Sequence, residues 1–261
     1  MPASVLDYLR QSASKIPRRV LSYKAQCELL QGIIPVICGL RNAYMLDIRI
    51  GIEHLKPFLV ELSTFLEVSL CILCLGCDDK LIVNVELVRE VINDRVRSSI
   101  IYLPTLEISL EIPNWALQVL EGIKDCVLGV GIINIPPVDI HRYPTIAGIL
   151  LQYPFVYVQP PGYKAITDII LQVYNFYLSG VNNDGSKLDI PLMTCSYPGT
   201  SFDSRNHQVL NDFVNLFNFR LNEIRRLGGV RAELLFERVG YTDDLCVKWN
   251  MYRVMHAKLI L

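Results

Sequence analysis

The chain lacks a long apolar run. Its longest apolar stretches, Leu66 to Cys77 and Thr145 to Val158, stop short of the ~18 to 20 residues that a membrane-spanning helix needs, and prolines or polar groups interrupt them. No membrane partner is expected. The chain also lacks an excess of charge: 25 basic residues face 26 acidic ones for a formal net charge of -1. No bulk field therefore favours nucleic acid or anionic lipid, and no nucleic-acid partner is expected. Histidine is scarce, and His54, His141, His207 and His256 fall in unrelated segments, none in a zincin pattern. There is no Walker loop and no serine in a Gly-x-Ser-x-Gly setting, so nucleoside triphosphate hydrolysis and ordinary serine hydrolysis have no support. The stretch Met1 to Tyr8 has neither the basic nor the apolar region of a secretory signal, and the expectation is an intracellular protein, cytoplasmic or nuclear.

What is present is a chain able to bury a core. Apolar residues make up 51% and charged residues 20% of the 261 positions, and the mean hydropathy is +0.32, a balance that excludes disorder over most of the length. The length allows one large domain or two small ones on a prior of roughly 150 residues each. Eight cysteines, Cys27, Cys38, Cys71, Cys74, Cys77, Cys126, Cys195 and Cys246, are scattered in mostly apolar surroundings, as in reduced proteins of the cytosol or nucleus. Cys71, Cys74 and Cys77 have the two-residue gaps of a metal knuckle. They lie in a run that reads as a buried strand, where positions three apart face opposite ways, so buried thiols and no metal site are expected.

Apolar spacing lays out the elements. Leu21 to Leu40 reads as a helix capped by Ser22 and stopped near Gly39, with Pro35 forcing a kink or an early end. A strand at Tyr44 to Ile48, a helix at Glu53 to Leu66 and a buried strand at Val68 to Leu75 follow as a β-α-β succession. Leu81 to Val83 is either a hairpin partner of that second strand or the approach to a helix capped by Asn84 and running to about Arg95. Ser99 to Leu103 reads as a strand, and Leu106 to Ile112 alternates as an antiparallel or edge strand should. Pro113 opens a helix striped by Trp115, Val119, Leu120, Ile123 and Val127, and Val127 to Ile135 is the next strand.

Pro136 to Pro144 is an extended loop by composition. Beyond it, Phe155 to Val158 reads as a strand and Tyr163 to Leu178 as a helix with Ile166, Ile169, Ile170, Val173 and Phe176 facing inward. Leu192 to Ser196 reads as a strand. A long helix from about Asp203 through Leu210, Phe213, Phe217, Leu221 and Ile224 stops at Gly228-Gly229, its phenylalanines assigned to the core. Val230 to Val239 and Leu245 to Val254 close the chain as a hairpin. The fold class expected is α/β: a mixed, mostly parallel central sheet flanked by helices, with an antiparallel C-terminal hairpin. One domain over 1–261 is expected, its candidate seam at 136–144.

The candidate site follows from that class. Asp47, Asp78, Asp79 and Asn134 fall at the C-terminal ends of strands, the edge where an open α/β sheet presents its crevice, although turn and cap roles explain them equally well. His141 lies in the proline-rich loop beside Asp139, Arg142 and Tyr143, a mix able to line a site. Leu46-Asp47-Ile48-Arg49-Ile50-Gly51 resembles a worn first motif of Rossmann-type methyltransferases, matched only at Asp47 and Gly51. Arg49 and Glu53 stand where glycines would let the backbone approach S-adenosylmethionine. The expectation is therefore no cofactor, with S-adenosylmethionine as the alternative.

Ala43 to Ile48, Leu81-Ile82-Val83-Asn84-Val85-Glu86-Leu87 and Leu150-Leu151-Gln152-Tyr153-Pro154-Phe155-Val156-Tyr157 together resemble an uncharacterised animal family, the one named for open reading frame seventy-four of human chromosome one. The resemblance implies an intracellular single-chain protein and carries no catalytic residue over. With no complete catalytic set, the leading expectation is a non-catalytic interaction or ligand-sensing module, with a protein partner. The alternative is a divergent small-molecule transferase at the Asp47 crevice.

Overall fold

The computed structural model describes residues 4–75, 79–92, 99–102, 107–109, 111–124, 131–135, 142–158, 166–181, 185–198, 204–239 and 245–259. The chain opens with α1 (Val5–Ser14) and α2 (Tyr23–Ile37), each capped by a serine hydroxyl, Ser4 accepting from the Asp7 amide and Ser22 from the Ala25 amide. Pro35 lies inside α2, and the helix ends two residues later. The freed Pro35 carbonyl accepts from the Leu40 and Arg41 amides, and Gly39 turns the chain at φ +83.

Then come β1 (Ala43–Met45), α3 (Ile52–Leu66), β2 (Leu70–Leu75) and β3 (Asp79–Asn84). β1 and β2 run the same way, as a β-α-β unit requires, but β3 turns back and fills the slot between them, antiparallel to both. Both readings of Leu81 to Val83 hold at once. They form β3, and Asn84 caps α4 (Val85–Ile92), its Oδ1 accepting from the Glu86 and Leu87 amides. β4 (Ser99–Tyr102), β5 (Glu107–Ser109), α5 (Asn114–Lys124), β6 (Gly131–Ile135), α6 (Tyr143–Leu150) and β7 (Phe155–Val158) continue the chain.

The central sheet has the order β1-β3-β2-β6, and only the β2–β6 pairing is parallel. The sheet is mixed, as expected, but it is mostly antiparallel and not mostly parallel. A second sheet, β5-β4-β7, is mixed as well. Every residue of β2 is buried because both faces are covered. Ile72 and Cys74 face the α1–α3 side, and Cys71, Leu73 and Leu75 face α4, α5 and α6.

The last third departs further from the expectation. Tyr163 to Leu178, read as a helix, contains most of β8 (Ile166–Val181). Its β-branched and aromatic residues favour the strand, and burial on both faces removes the alternation that would have signalled one. β8 pairs with β9 (Lys187–Pro198). α7 (Ser204–Leu227) stops where expected, at Gly228 and Gly229 with φ +62 and +74. The chain then restarts as a helix: α8 (Gly229–Val239) replaces the first strand of the expected C-terminal hairpin. Ala232, Glu233, Leu234 and Leu235 are good helix formers, and the glycine pair gives the turn. β10 (Cys246–Leu259) pairs instead with β8, completing an antiparallel sheet in the order β10-β8-β9.

One buried cation ties these parts together. Arg220 of α7 is 5% exposed. Its Nη1 donates to the Leu40 carbonyl (3.3 Å), Asn42 Oδ1 (3.0 Å) and Gln152 Oε1 (2.8 Å), and its Nη2 to Glu90 Oε2 (3.3 Å). Burial pulls its pKa down, opposed by the neighbouring Glu90. Arg220→Met is expected to cost about 3 to 5 kcal/mol, because three buried oxygens lose their donor. Glu90→Gln should cost under ~1 kcal/mol, since that carboxylate is 39% exposed and water can replace the arginine. Urea unfolding of both variants tests the order, and equal costs would show that the ion pair dominates.

A second tie joins α1 to α3. Ser12 Oγ and Lys15 Nζ each donate to Glu61 Oε1 at 2.6 Å. Burial pushes the Glu61 pKa up, but hydrogen bonds from Lys15, Ser12 and Tyr8 outweigh it, leaving the carboxyl below its usual range. A carboxyl depressed in the folded state stabilises above its unfolded pKa and loses that contribution as pH falls through the folded one. The destabilisation by Glu61→Gln, under ~1 kcal/mol because Lys15 is largely exposed, should thus be present at neutral pH and fade below about pH 4. Chemical melts across that range measure it.

Candidate functional site

Three of the sequence-derived candidates share one sheet edge. Asp47 follows β1, Asp79 opens β3, and both are exposed. The Leu46 amide donates to the Lys80 carbonyl at 2.9 Å, which brings Asp47 and Asp79 to the same end of adjacent strands. Asn134, exposed on β6, lies in register with Cys74. Two strands separate β1 from β6, so Asp47 and Asn134 are roughly 14 Å apart in the hydrogen-bonding direction. Asp78 and His141 lie outside the described residues.

The corner after β1 is built differently from a nucleotide cradle. β1 is an edge strand with an antiparallel neighbour, whereas a topological switch point needs crossovers diverging from parallel strands. The Glu53 carboxylate packs where a Cβ on Gly51 would sit. Asp47 adds to the upward push that burial gives the Tyr44 phenol. Cys71 and Cys74 do face opposite clusters, and no group of three metal-ligating side chains occurs among the described residues. Cys27, Cys38, Cys71, Cys74, Cys195 and Cys246 are all free thiols.

A different surface gathers more features. Two adjoining hollows of about 460 and 490 Å³ share Cys38, Ile224, Leu227 and Arg231, and together they form a groove where α7 turns into α8. The glycine pair reverses the chain there and leaves Leu227 and Val230 on either side of the corner. Leu227 is 70% exposed and Phe219, about two turns earlier on α7, is 63% exposed. Phe65, at the C-terminal end of α3, lines the other side and stacks on Tyr8 with ring centroids 3.9 Å apart.

Arg231 holds the groove's floor in place. Its Nη2 donates to the Glu67 carbonyl at 2.6 Å and its Nε to the Leu66 carbonyl at 3.4 Å. A cation thus meets the last carbonyls of α3, where the helix dipole favours it. Glu67, Glu86, Glu90 and Glu223 line the groove against two guanidiniums, Arg220 and Arg231. Glu86 faces Arg231 at 3.7 Å, and Glu223 is held below its usual range by its hydrogen bond to Arg226. The Cys38 thiol donates to the Arg231 carbonyl at 3.2 Å. The groove therefore offers an apolar floor and an acidic rim, and the chemistry it supports is recognition.

Sequence reasoning assigned the phenylalanines at helical spacing in α7 to the core, and Phe213 and Phe217 are buried there. Phe219 was not singled out. Two residues beyond Phe217 it is rotated about 200° around the helix, off the apolar stripe, and that offset was the available signal. Comparison of the chain with protein-family models, with curated proteins and with solved structures finds no match.

Proposed function

We propose that the protein is a non-catalytic interaction module of the cytoplasm or nucleus, which docks a basic amphipathic helix of a protein partner in the groove between α3, α7 and α8. The observation that carries this reading is the convergence of Phe65, Phe219, Leu227 and Val230, all exposed large apolar side chains, in one groove lined by four carboxylates. Isolated exposed apolar residues are ordinary, but a cluster rimmed by charge marks an interaction surface. A helix laid in such a groove presents apolar anchors at i, i+3 or i+4, and i+7. Lysines or arginines flanking those anchors meet the acidic rim, which sets orientation and encounter rate. The free thiols fit a reducing compartment.

The test uses a fluorescent leucine- and lysine-rich amphipathic helical peptide, followed by anisotropy. Saturable binding is expected, weakened about tenfold or more by Leu227→Asp and by Phe219→Asp. Both side chains are exposed, so both variants should fold. Replacing the peptide's lysines by glutamates should weaken binding by a similar factor, and added salt should weaken the lysine peptide. Binding that ignores both substitutions would sink the reading. A stabilisation of several degrees by S-adenosylmethionine, abolished in Asp47→Ala, would replace it with the transferase alternative.

A further inference from the structure

A second hollow lies away from the groove, where α6 and β7 meet the β8–β9 hairpin, and no residue lines both. Its volume is about 420 Å³, within the range of small-molecule sites. One wall is aromatic, made by Tyr153, Phe155 and Tyr157, and the other comes from Val173 of β8 with Thr194 and Cys195 of β9. The aromatic wall is braced from behind. Phe155 packs against Tyr174 and Tyr197 with centroids 6.0 and 5.0 Å away, an arrangement that holds a ring at a fixed tilt. Gly148 lets α6 close on β7, since a Cβ there would come within 3.2 Å of the Val156 methyls.

Two hydroxyls of the walls are engaged within the protein. The Tyr157 hydroxyl donates to the Ser196 carbonyl at 2.6 Å, and the Thr194 hydroxyl donates to Asn175 Oδ1 at 2.8 Å. Tyr157 keeps lone pairs free to accept one hydrogen bond. None of the described lining residues carries a charge. The nearby guanidinium of Arg41 donates to the Leu192 carbonyl at 3.0 Å. Burial pushes both the Cys195 thiol and the Tyr157 phenol far above their ordinary ranges, so both are neutral at physiological pH. A neutral, buried thiol is a poor nucleophile.

We propose that this hollow is a reversible binding site for an uncharged, ring-bearing small molecule. A charged ligand would meet no opposite charge among the described lining residues, while aromatic and aliphatic surface would be matched on both sides. The inference does not depend on the docking groove.

A matched pair of probes tests it: phenylnaphthylamine, which is neutral, and anilinonaphthalene sulfonate, which adds a fixed negative charge to the same ring system. One-to-one binding of the neutral probe is expected, followed by its fluorescence, and about tenfold or more tighter than the sulfonate. Val173→Phe, which fills the hollow, and Thr194→Trp, at an exposed position on its lining, should each weaken the neutral probe by about tenfold or more. The Thr194 variant leaves the core intact, and circular dichroism melts check that both proteins fold. Leu227→Asp should leave the affinity unchanged, which separates this site from the groove. Absence of saturable one-to-one binding, or binding that survives both fillings in folded protein, would overturn the site. Equal affinity for the sulfonate, lost in the same variants, would overturn the ligand class.

Discussion

A guanidinium withdrawn from water needs an acceptor for each donor it can direct at one, and at Arg220 that need recruits three separate stretches of chain. Three of its partners are neutral oxygens, from Leu40, Asn42 and Gln152, and the only carboxylate, Glu90, is partly in water. Neutral dipoles, one backbone carbonyl and two side-chain amides, therefore carry much of the compensation. The demand reaches into local geometry. Gln152 has φ +62, a left-handed conformation that costs a side chain about 1 to 2 kcal/mol. It persists because the Tyr153 amide bonds the Gly148 carbonyl, the Gln152 amide bonds Ile149, and its side chain meets Arg220.

Anchoring Arg220 also sets the rotation of α7. With Phe213, Phe217, Arg220, Leu221 and Ile224 turned inward, Phe219 and Leu227 are left on the solvent side. The groove is in this sense a consequence of the buried arginine. The same helix end is held by Arg225, whose Nη2 donates to the Leu245 carbonyl at 2.9 Å, so the chain enters β10 from a fixed point. On the proposed reading, the docking surface thus belongs to a helix gripped at two places, and the ordering entropy lost on docking would fall mainly on the partner.

The chain's own pattern made some of this visible. The unbroken apolar run of β2 announced a strand covered on both faces, and the offset of three positions from Cys71 to Cys74 announced their separation into two clusters. Gly228-Gly229 marked the end of α7. What stayed hidden depends on pairing over long separations. Nothing local says that β3 enters between β1 and β2, or that β10 returns to β8, because each pairing is chosen by competition among strands. β8 was misread because burial on both faces erases period two, and chance then places Ile166, Ile169, Ile170 and Val173 at helical spacing. Asp47 and Asn134 lie at or near C-terminal strand ends and Asp79 opens its strand instead, and a shared end of the sheet does not by itself converge side chains. The groove needed Phe65 beside Leu227, 162 positions later in the chain, and no periodicity within one helix can report that.

The charges of the groove decide how its parts divide the work on the proposed reading. Glu90 is neutralised from below by Arg220, Glu86 faces Arg231, and Glu223 is tied to Arg226. The field that a partner meets is therefore weaker than four carboxylates would produce, and at physiological salt it is screened beyond about 8 Å. Rim pairs of this kind are each worth under ~1 kcal/mol. The apolar anchors must then supply most of the affinity, at about 25 cal/mol for each Å² of apolar surface removed from water. The rim's part is to select a basic helix over an acidic one, since acidic flanks would meet Glu67 and Glu86.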